Sequence, residues 1–344
     1  MTDASLLDTD PASAAAAEPV LALDDLACAF PGEDGPVTVV HGVSLAVAPG
    51  RTLAVVGESG SGKTMTFLAA LGLLPKGGRV VRGSVRLQGQ DLLKLGPEAL
   101  RRVRGADIAM VFQDPLTGLN PVFTIGDQLV EVLRAHRPIS RSQARREAID
   151  LLDRVHIPDP KRRAAAYPHQ LSGGMRQRVL IAMAISLGPK VLIADEPTTA
   201  LDVTVQAQIL ELLEELQAES GMGLVLITHD LGLVARHADD VAVMYAGRVV
   251  EEGDCGAVFA RTRHPYTAAL FRSIPNLEGD AAADLLAIEG QPPDPARLPT
   301  GCAFEPRCWL GQGRTRCAAE RPALVRADEA GHRSACWFAL EVHR

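Results

Sequence analysis

The chain has 344 residues, 47% hydrophobic and 22% charged, a balance that suits a globular fold and excludes a disordered one. A net charge of -7 and an aromatic content of 4% argue against a nucleic-acid binder, which carries a basic excess and stacking rings. No apolar run reaches the ~18–20 residues of a membrane span, and the first 18 residues lack the basic start and apolar block of a signal peptide. A cytosolic chain is expected, one that meets a membrane only through a partner.

Residues 1–19 are Ala-rich and aperiodic, and read as a disordered lead. Residues 20–30 and 37–47 alternate about a Gly/Pro turn, the pattern of two antiparallel strands. A short buried strand at 52–56 leads into a Gly-rich loop and a helix over 64–74. Short strands at 84–87 and 108–112 flank a helix at 97–104. Segments 125–135 and 143–155 carry i, i+3, i+4 apolar spacing, and about 114–185 is expected to form a helical subdomain. Apolar strands at 191–194 and 224–228 alternate with an amphipathic helix over 205–219, which predicts a parallel sheet covered by helices on both faces. A hairpin turns at Ala246-Gly247. Composition changes past 254, which places a boundary between a main domain over 20–253 and a small Cys-rich C-terminal domain over 254–344.

Gly57-Glu58-Ser59-Gly60-Ser61-Gly62-Lys63-Thr64 fits the spacing G-x-x-x-x-G-K-[ST], and it follows a strand and opens a helix. That context lets backbone N–H groups and the positive helix end surround a phosphate chain. Lys63 bridges the terminal phosphates and Thr64 offers its hydroxyl to Mg²⁺. Lys63 is one of five lysines in the chain, against thirty arginines. Asp195 and Glu196 end an apolar strand, where parallel sheets place ligand sites. Asp195 is expected to face Mg²⁺ and Glu196 to orient and deprotonate the attacking water.

Further residues carry a family resemblance. Leu171-Ser172-Gly173-Gly174-Met175-Arg176-Gln177-Arg178 resembles the signature motif of ATP-binding cassette (ABC) ATPases, with Ser172 lying 23 positions before Asp195. Gln113 resembles the Q-loop glutamine, Ala200-Leu201-Asp202 the D-loop and His229 the switch histidine. The resemblance spans about 20–252 and implies a P-loop NTPase fold of the ABC type, α/β, with a helical subdomain and an antiparallel β subdomain. It implies ATP and Mg²⁺ as cofactors, with Thr64, Gln113 and Asp195 around the ion. ATP would sit on Gly57 to Met65 and Asp195. It would be closed in trans by Ser172, Gly173, Gly174, Met175, Gln177 and Asp202 of a second ATPase subunit. Glu196, His229, Lys63 and Gln113 would be catalytic, and Phe30, an aromatic in the first strands, would stack on adenine.

Met175, where many cassettes carry glutamine, resembles the oligopeptide and dipeptide import subgroup. Gln113-Asp114-Pro115-Leu116-Thr117-Gly118-Leu119-Asn120-Pro121 and Arg263-His264-Pro265-Tyr266, with Ser273-Ile274-Pro275, are similar to it as well. The resemblance implies two membrane permease subunits, a second and unlike ATPase subunit, an extracytoplasmic substrate-binding protein and a peripheral place on the cytoplasmic membrane face. Nickel, glutathione or sugar oligomers are alternative cargoes, and a soluble ABC ATPase working on ribosomes or DNA is the rival function.

Cys302, Cys308, Cys317 and Cys336 crowd into the last 43 residues, and in a reducing compartment such a cluster reads as a metal site before disulfides. The spacing lacks the paired C-x-x-C of zinc ribbons, and four thiolates suit zinc or a 4Fe–4S cluster. The resemblance to peptide-importer ATPases, some of which look able to hold such a cluster, places 4Fe–4S first, zinc second and unligated thiols as the remaining alternative.

Overall fold

The structure, a computed structural model, describes residues 18–113, 118–199, 201–273, 288–328 and 331–342. Residues 1–17 of the expected lead, 114–117 after Gln113, Ala200, and Ile274-Pro275 lie outside the described residues.

The described strands begin with β1 (Leu21–Gly32), β2 (Gly35–Val47), β3 (Thr52–Val56), β4 (Arg79–Leu87), β5 (Gln90–Asp91) and β6 (Ile108–Val111). They continue with β7 (Val191–Asp195), β8 (Gly223–Thr228), β9 (Asp240–Tyr245), β10 (Arg248–Asp254), β11 (Val325–Arg326) and β12 (Arg333–Ser334). The expected hairpin β1–β2 gains β4 on the other side of β1, giving an antiparallel sheet in the order β2-β1-β4-β5. β4 starts at Arg79, earlier than the apolar pattern at 84–87 indicates, because Arg79 to Arg82 pair with β1 while largely exposed, so no buried apolar alternation marks them.

The second sheet runs β11-β12-β10-β9-β3-β8-β7-β6, with β9, β3, β8, β7 and β6 parallel. β3, β7 and β8 are buried along their whole length, as strands covered on both faces must be. Their register sets Val56 beside Thr228 and Asp195 beside Ile227. The loops after β3, β7 and β8 therefore open at one edge of the sheet, its carboxyl edge.

The helical part packs Ile125–His136 against Arg141–Arg154. Ile125, Leu129 and Leu133 repeat every four residues on one face, Ala144, Ala148 and Leu152 answer on the other, and all six are buried. Thr124 and Ser140 cap the two helices by accepting the Asp127 and Gln143 N–H groups. The helix after the Gly-rich loop, Lys63–Ala70, stops short of the expected residue 74. Gly72 takes a left-handed conformation there, and the Leu73 N–H closes the end by donating to the Leu68 carbonyl at 2.8 Å.

The composition change near 254 does not separate the two parts structurally. β12 adds to β10 with Glu251 beside Ser334, and Glu251 and His332 Nε2, both fully buried, lie 2.7 Å apart. Val56, Val243 and Tyr245 of the main sheet share a core with Tyr266, Phe271, Phe304 and Cys308. Described residues past 254 thus add to the main sheet and share its core.

Candidate functional site

The Gly-rich loop lies between β3 and the helix Lys63–Ala70. Gly57 starts it at φ +150, where a Cβ would stand 2.2 Å from the Met244 carbonyl oxygen, so no side chain fits. The loop closes on Lys63, whose Nζ donates to the Gly57 carbonyl at 2.7 Å and the Glu58 carbonyl at 3.0 Å. Lys63 is 6% exposed. Burial lowers its pKa, and the negative Glu196, Asp195 and Glu58 pull it back toward the charged form. Ser59 and Gly60 are exposed at the loop tip, and the buried Ser61 Oγ has no hydrogen-bond partner among the described residues. A caged ammonium beside an orphaned hydroxyl is a site made for an oxyanion chain.

The Thr64 Oγ1 donates to Asp195 Oδ1 at 3.1 Å. Asp195 is 2% exposed, and burial raises its pKa against the Thr64 hydrogen bond. A hydroxyl and a carboxylate side by side are hard oxygen donors, so these residues fit Mg²⁺, which would neutralise phosphate charge there.

Glu196 follows at φ +46, a costly conformation for a residue with a side chain. Its N–H donates to the Ile227 carbonyl at 2.9 Å, which pins the turn to β8. Its carboxylate gathers Gln113 Nε2 at 2.7 Å, Thr199 Oγ1 at 2.9 Å and His229 Nδ1 at 3.3 Å. The structure so brings together Gln113, Glu196 and His229, which come from three different strand ends. Thr199 was not singled out by sequence, although its place three residues after Glu196 in a tight turn was the available signal. Asp230 turns away from His229 and caps the helix Leu231–His237 through the Gly232 and Leu233 N–H groups.

The signature residues lie elsewhere. Ser172 caps the helix Gly173–Ile185 and accepts the Met175 N–H at 3.3 Å, with Ser172 and Gly173 exposed. A Cβ on Gly174 would stand 2.6 Å from Val205 Cγ1, so this helix start lies directly against the helix Val203–Ser220. Asp202 caps that second helix by accepting the Val205 N–H at 3.0 Å. Ser172, Gly173 and Asp202 thus line one exposed edge. Gln177 does not join them. It is 1% exposed, and both its amide atoms are buried without partners. Met175 is half-buried against the helical core and Met65 against the other core. Phe30 pairs with Val37 in the hairpin, and its ring abuts Gly78, where a Cβ would lie 2.6 Å from Cε1.

Cys302, Cys308, Cys317 and Cys336 all line one cavity of about 20 Å³, together with Phe304 and Trp337. Burial raises all four thiol pKa values, Cys308 to about 11 and Cys336 to about 12. The Gly311 and Phe338 N–H groups donate to the Cys308 and Cys336 sulfurs at 3.2 and 3.4 Å. The sequence places a 4Fe–4S cluster first, zinc second and unligated thiols third, and the structure does not bear out the first two. Among the described residues no group of three or more His, Cys, Asp or Glu is arranged to hold a metal ion.

Arg307, which the sequence does not single out, and Tyr266, noted there only as part of a subgroup motif, reach the phosphate loop. Arg307 forms a two-pronged ion pair with the Glu58 carboxylate, and the Tyr266 hydroxyl accepts the Glu58 N–H. These contacts span 249 and 208 positions, a separation no motif spacing signals.

Residues 40–199 match the ABC transporter family, and residues 250–317 match the oligopeptide/dipeptide transporter C-terminal region. The chain is 49% identical over 323 residues to the dipeptide transport ATP-binding protein DppD of Escherichia coli, covering 94% of this chain and 97% of that one. It is 50% identical over 319 residues to the oligopeptide transport ATP-binding protein OppD of Mycobacterium tuberculosis, covering 92% of this chain and 52% of that longer one. Among solved structures it is similar to a dimeric ATP-binding cassette in a post-hydrolysis state with ADP and Pi (TM-score 0.62, 26% identity, 68% of this chain and 98% of that one). It is also similar to a subunit of an ABC transporter complex from Clostridium perfringens (TM-score 0.60, 29% identity, 71% and 91%). With the phosphate loop, Asp195 and Glu196 assembled at one sheet edge, and half of its residues shared along nearly the whole of DppD, this chain hydrolyses ATP and belongs to the ATP-binding subunits of the oligopeptide/dipeptide ABC importers.

Proposed function

We propose that this subunit drives uptake of oligopeptides or dipeptides by binding and hydrolysing ATP at a seam with a second ATPase subunit. Lys63 and the loop N–H groups would hold the triphosphate, and Thr64, Asp195 and Gln113 would hold Mg²⁺, which would neutralise phosphate charge. Glu196 takes the proton of the attacking water, and His229 and Gln113 keep its carboxylate oriented. The gathering of Gln113, Thr199 and His229 on the Glu196 carboxylate is the observation that carries this reading. The Ser172–Gly173 edge is exposed at a helix start, which suits the triphosphate of a partner subunit.

No helix among the described residues is long and apolar enough to cross a membrane. The substrate path would therefore be supplied by two permease subunits, fed by an extracytoplasmic binding protein, with this chain at the cytoplasmic membrane face. A groove of about 400 Å³ lined by Leu73, Met110, Phe112, Leu180 and Met183 offers apolar surface to a permease segment. Phe112 on its wall is 44% exposed.

A metal in the C-terminal region, a 4Fe–4S cluster ahead of zinc, is favoured only by the gathering of Cys302, Cys308, Cys317 and Cys336 around one cavity, since no group among the described residues is arranged to hold an ion. Iron and acid-labile sulfide in anaerobically purified protein test it, and stoichiometric zinc without iron overturns the cluster.

The function is tested in a complex reconstituted with its permeases. Peptide-stimulated ATP hydrolysis that Lys63→Ala abolishes is expected. Stimulation by ribosomes or DNA in place of peptides, or undiminished turnover by Lys63→Ala, contradicts it.

A further inference from the structure

Glu58, the second residue of the phosphate loop, is held from outside the loop at two points. Arg307 Nη1 donates to Glu58 Oε2 at 2.7 Å, and Nη2 donates to Oε1 at 3.0 Å. The Arg307 side chain is 5% exposed and that of Glu58 26%. Arg307 is itself fixed. Its Nε donates to the Glu289 carbonyl at 2.9 Å, and Nη1 contacts the Tyr245 hydroxyl at 3.3 Å. The second hold is on the backbone, where the Glu58 N–H donates to the Tyr266 hydroxyl at 2.7 Å. Tyr266 is fully buried, with its ring 4.6 Å from that of Tyr245 and 5.3 Å from that of Phe304.

Glu58 also carries one of the two carbonyls that accept from Lys63 Nζ. Its carboxylate, its N–H and its carbonyl are therefore all engaged, the first two by residues of the C-terminal region. A bidentate pair on a nearly buried guanidinium is a stiff contact, unlike an exposed ion pair. A loop already fixed loses less conformational entropy when it closes on phosphate.

We propose that Arg307 and Tyr266 are positioning residues for the ATP site. Through Glu58 they hold the first turn of the phosphate loop in its binding form, so the affinity for ATP depends on the C-terminal region being seated. The proposal needs the ATPase activity alone and does not rest on the cargo or on a metal in the cysteine cavity. A mere staple between core and C-terminal region would change melting temperature without changing nucleotide affinity.

The test uses the full chain, by titration with a fluorescent ATP analogue, and the assembled complex, by ATPase kinetics. Arg307→Ala is expected to raise Kd and KM for ATP by roughly 5–30-fold, with kcat changed by less than about 2-fold. Arg307→Lys, which keeps the charge and loses the fork, should fall between. Glu58→Gln should raise KM as well, and the double variant Arg307→Ala/Glu58→Gln should be no worse than the stronger single one, because both act through one contact. Wild-type affinity in a folded Arg307→Ala, or effects that multiply in the double variant, overturns the proposal. Should Arg307→Ala fail to fold, Tyr266→Phe, which removes one oxygen, decides. A raised KM supports the proposal and an unchanged KM overturns it.

Discussion

The Thr64 hydroxyl donates to the Asp195 carboxylate at 3.1 Å across 131 positions of sequence. The contact exists because β3 and β7 both flank β8 in parallel and end at the same edge. It leaves Asp195 in a buried place that suits a metal ligand better than an empty fold. Burial raises the Asp195 pKa, so the ionised carboxylate destabilises the nucleotide-free chain at pH above that raised value. The penalty fades as pH falls through it and the group takes up a proton. Asp195→Asn is therefore expected to raise the melting temperature of the nucleotide-free chain by about 2 °C at neutral pH, with the gain shrinking on acidification. The same variant should lose Mg²⁺-dependent turnover. Scanning calorimetry across pH checks the first part, and a lower melting temperature at neutral pH contradicts it.

Glu196→Gln keeps the size of the side chain and removes the base. Phosphate release from the assembled complex should fall by about 100-fold or more, while ATP affinity stays within about 2-fold. Comparable losses of affinity and turnover would instead assign Glu196 to binding.

Gly174→Ala tests the signature edge without touching the phosphate loop. The new Cβ would stand 2.6 Å from Val205 Cγ1, and a β-branched side chain in a helix has little freedom to turn aside. The start of the Gly173–Ile185 helix must then shift. The isolated chain should bind ATP within about 2-fold of wild type, and the assembled complex should lose at least about 10-fold in turnover. Equal turnover would remove the signature edge from the catalytic unit.

The parallel core and the ATP site were legible because their signals are local. Val191 to Ala194 is apolar without interruption, and the Gly57–Thr64 spacing is short and specific. The helix after that loop ends earlier than the sequence predicts, because hydrophobic period continues through Leu71, Leu73 and Leu74 while the left-handed Gly72 decides the end. The boundary near 254 followed a true change in composition, yet Glu251, His332 and Ser334 join the two parts by pairing that sequence spacing does not display. Gln177 looked like its signature neighbours in sequence, but the turn of the helix carries it into the interior. The four cysteines were rightly grouped, since one cavity collects them, whereas a formed ligand set is absent among the described residues. Arg307 was invisible among thirty arginines, because only the fold places it on Glu58.

The most direct measurement is the distance from the Ser172 hydroxyl to the nearest triphosphate in the assembled, ATP-loaded complex carrying Glu196→Gln. A hydrogen-bond distance to the γ-phosphate held by the partner ATPase subunit is expected. A Ser172 facing solvent in the loaded complex, with normal turnover by the wild-type assembly, would contradict catalysis at a shared seam.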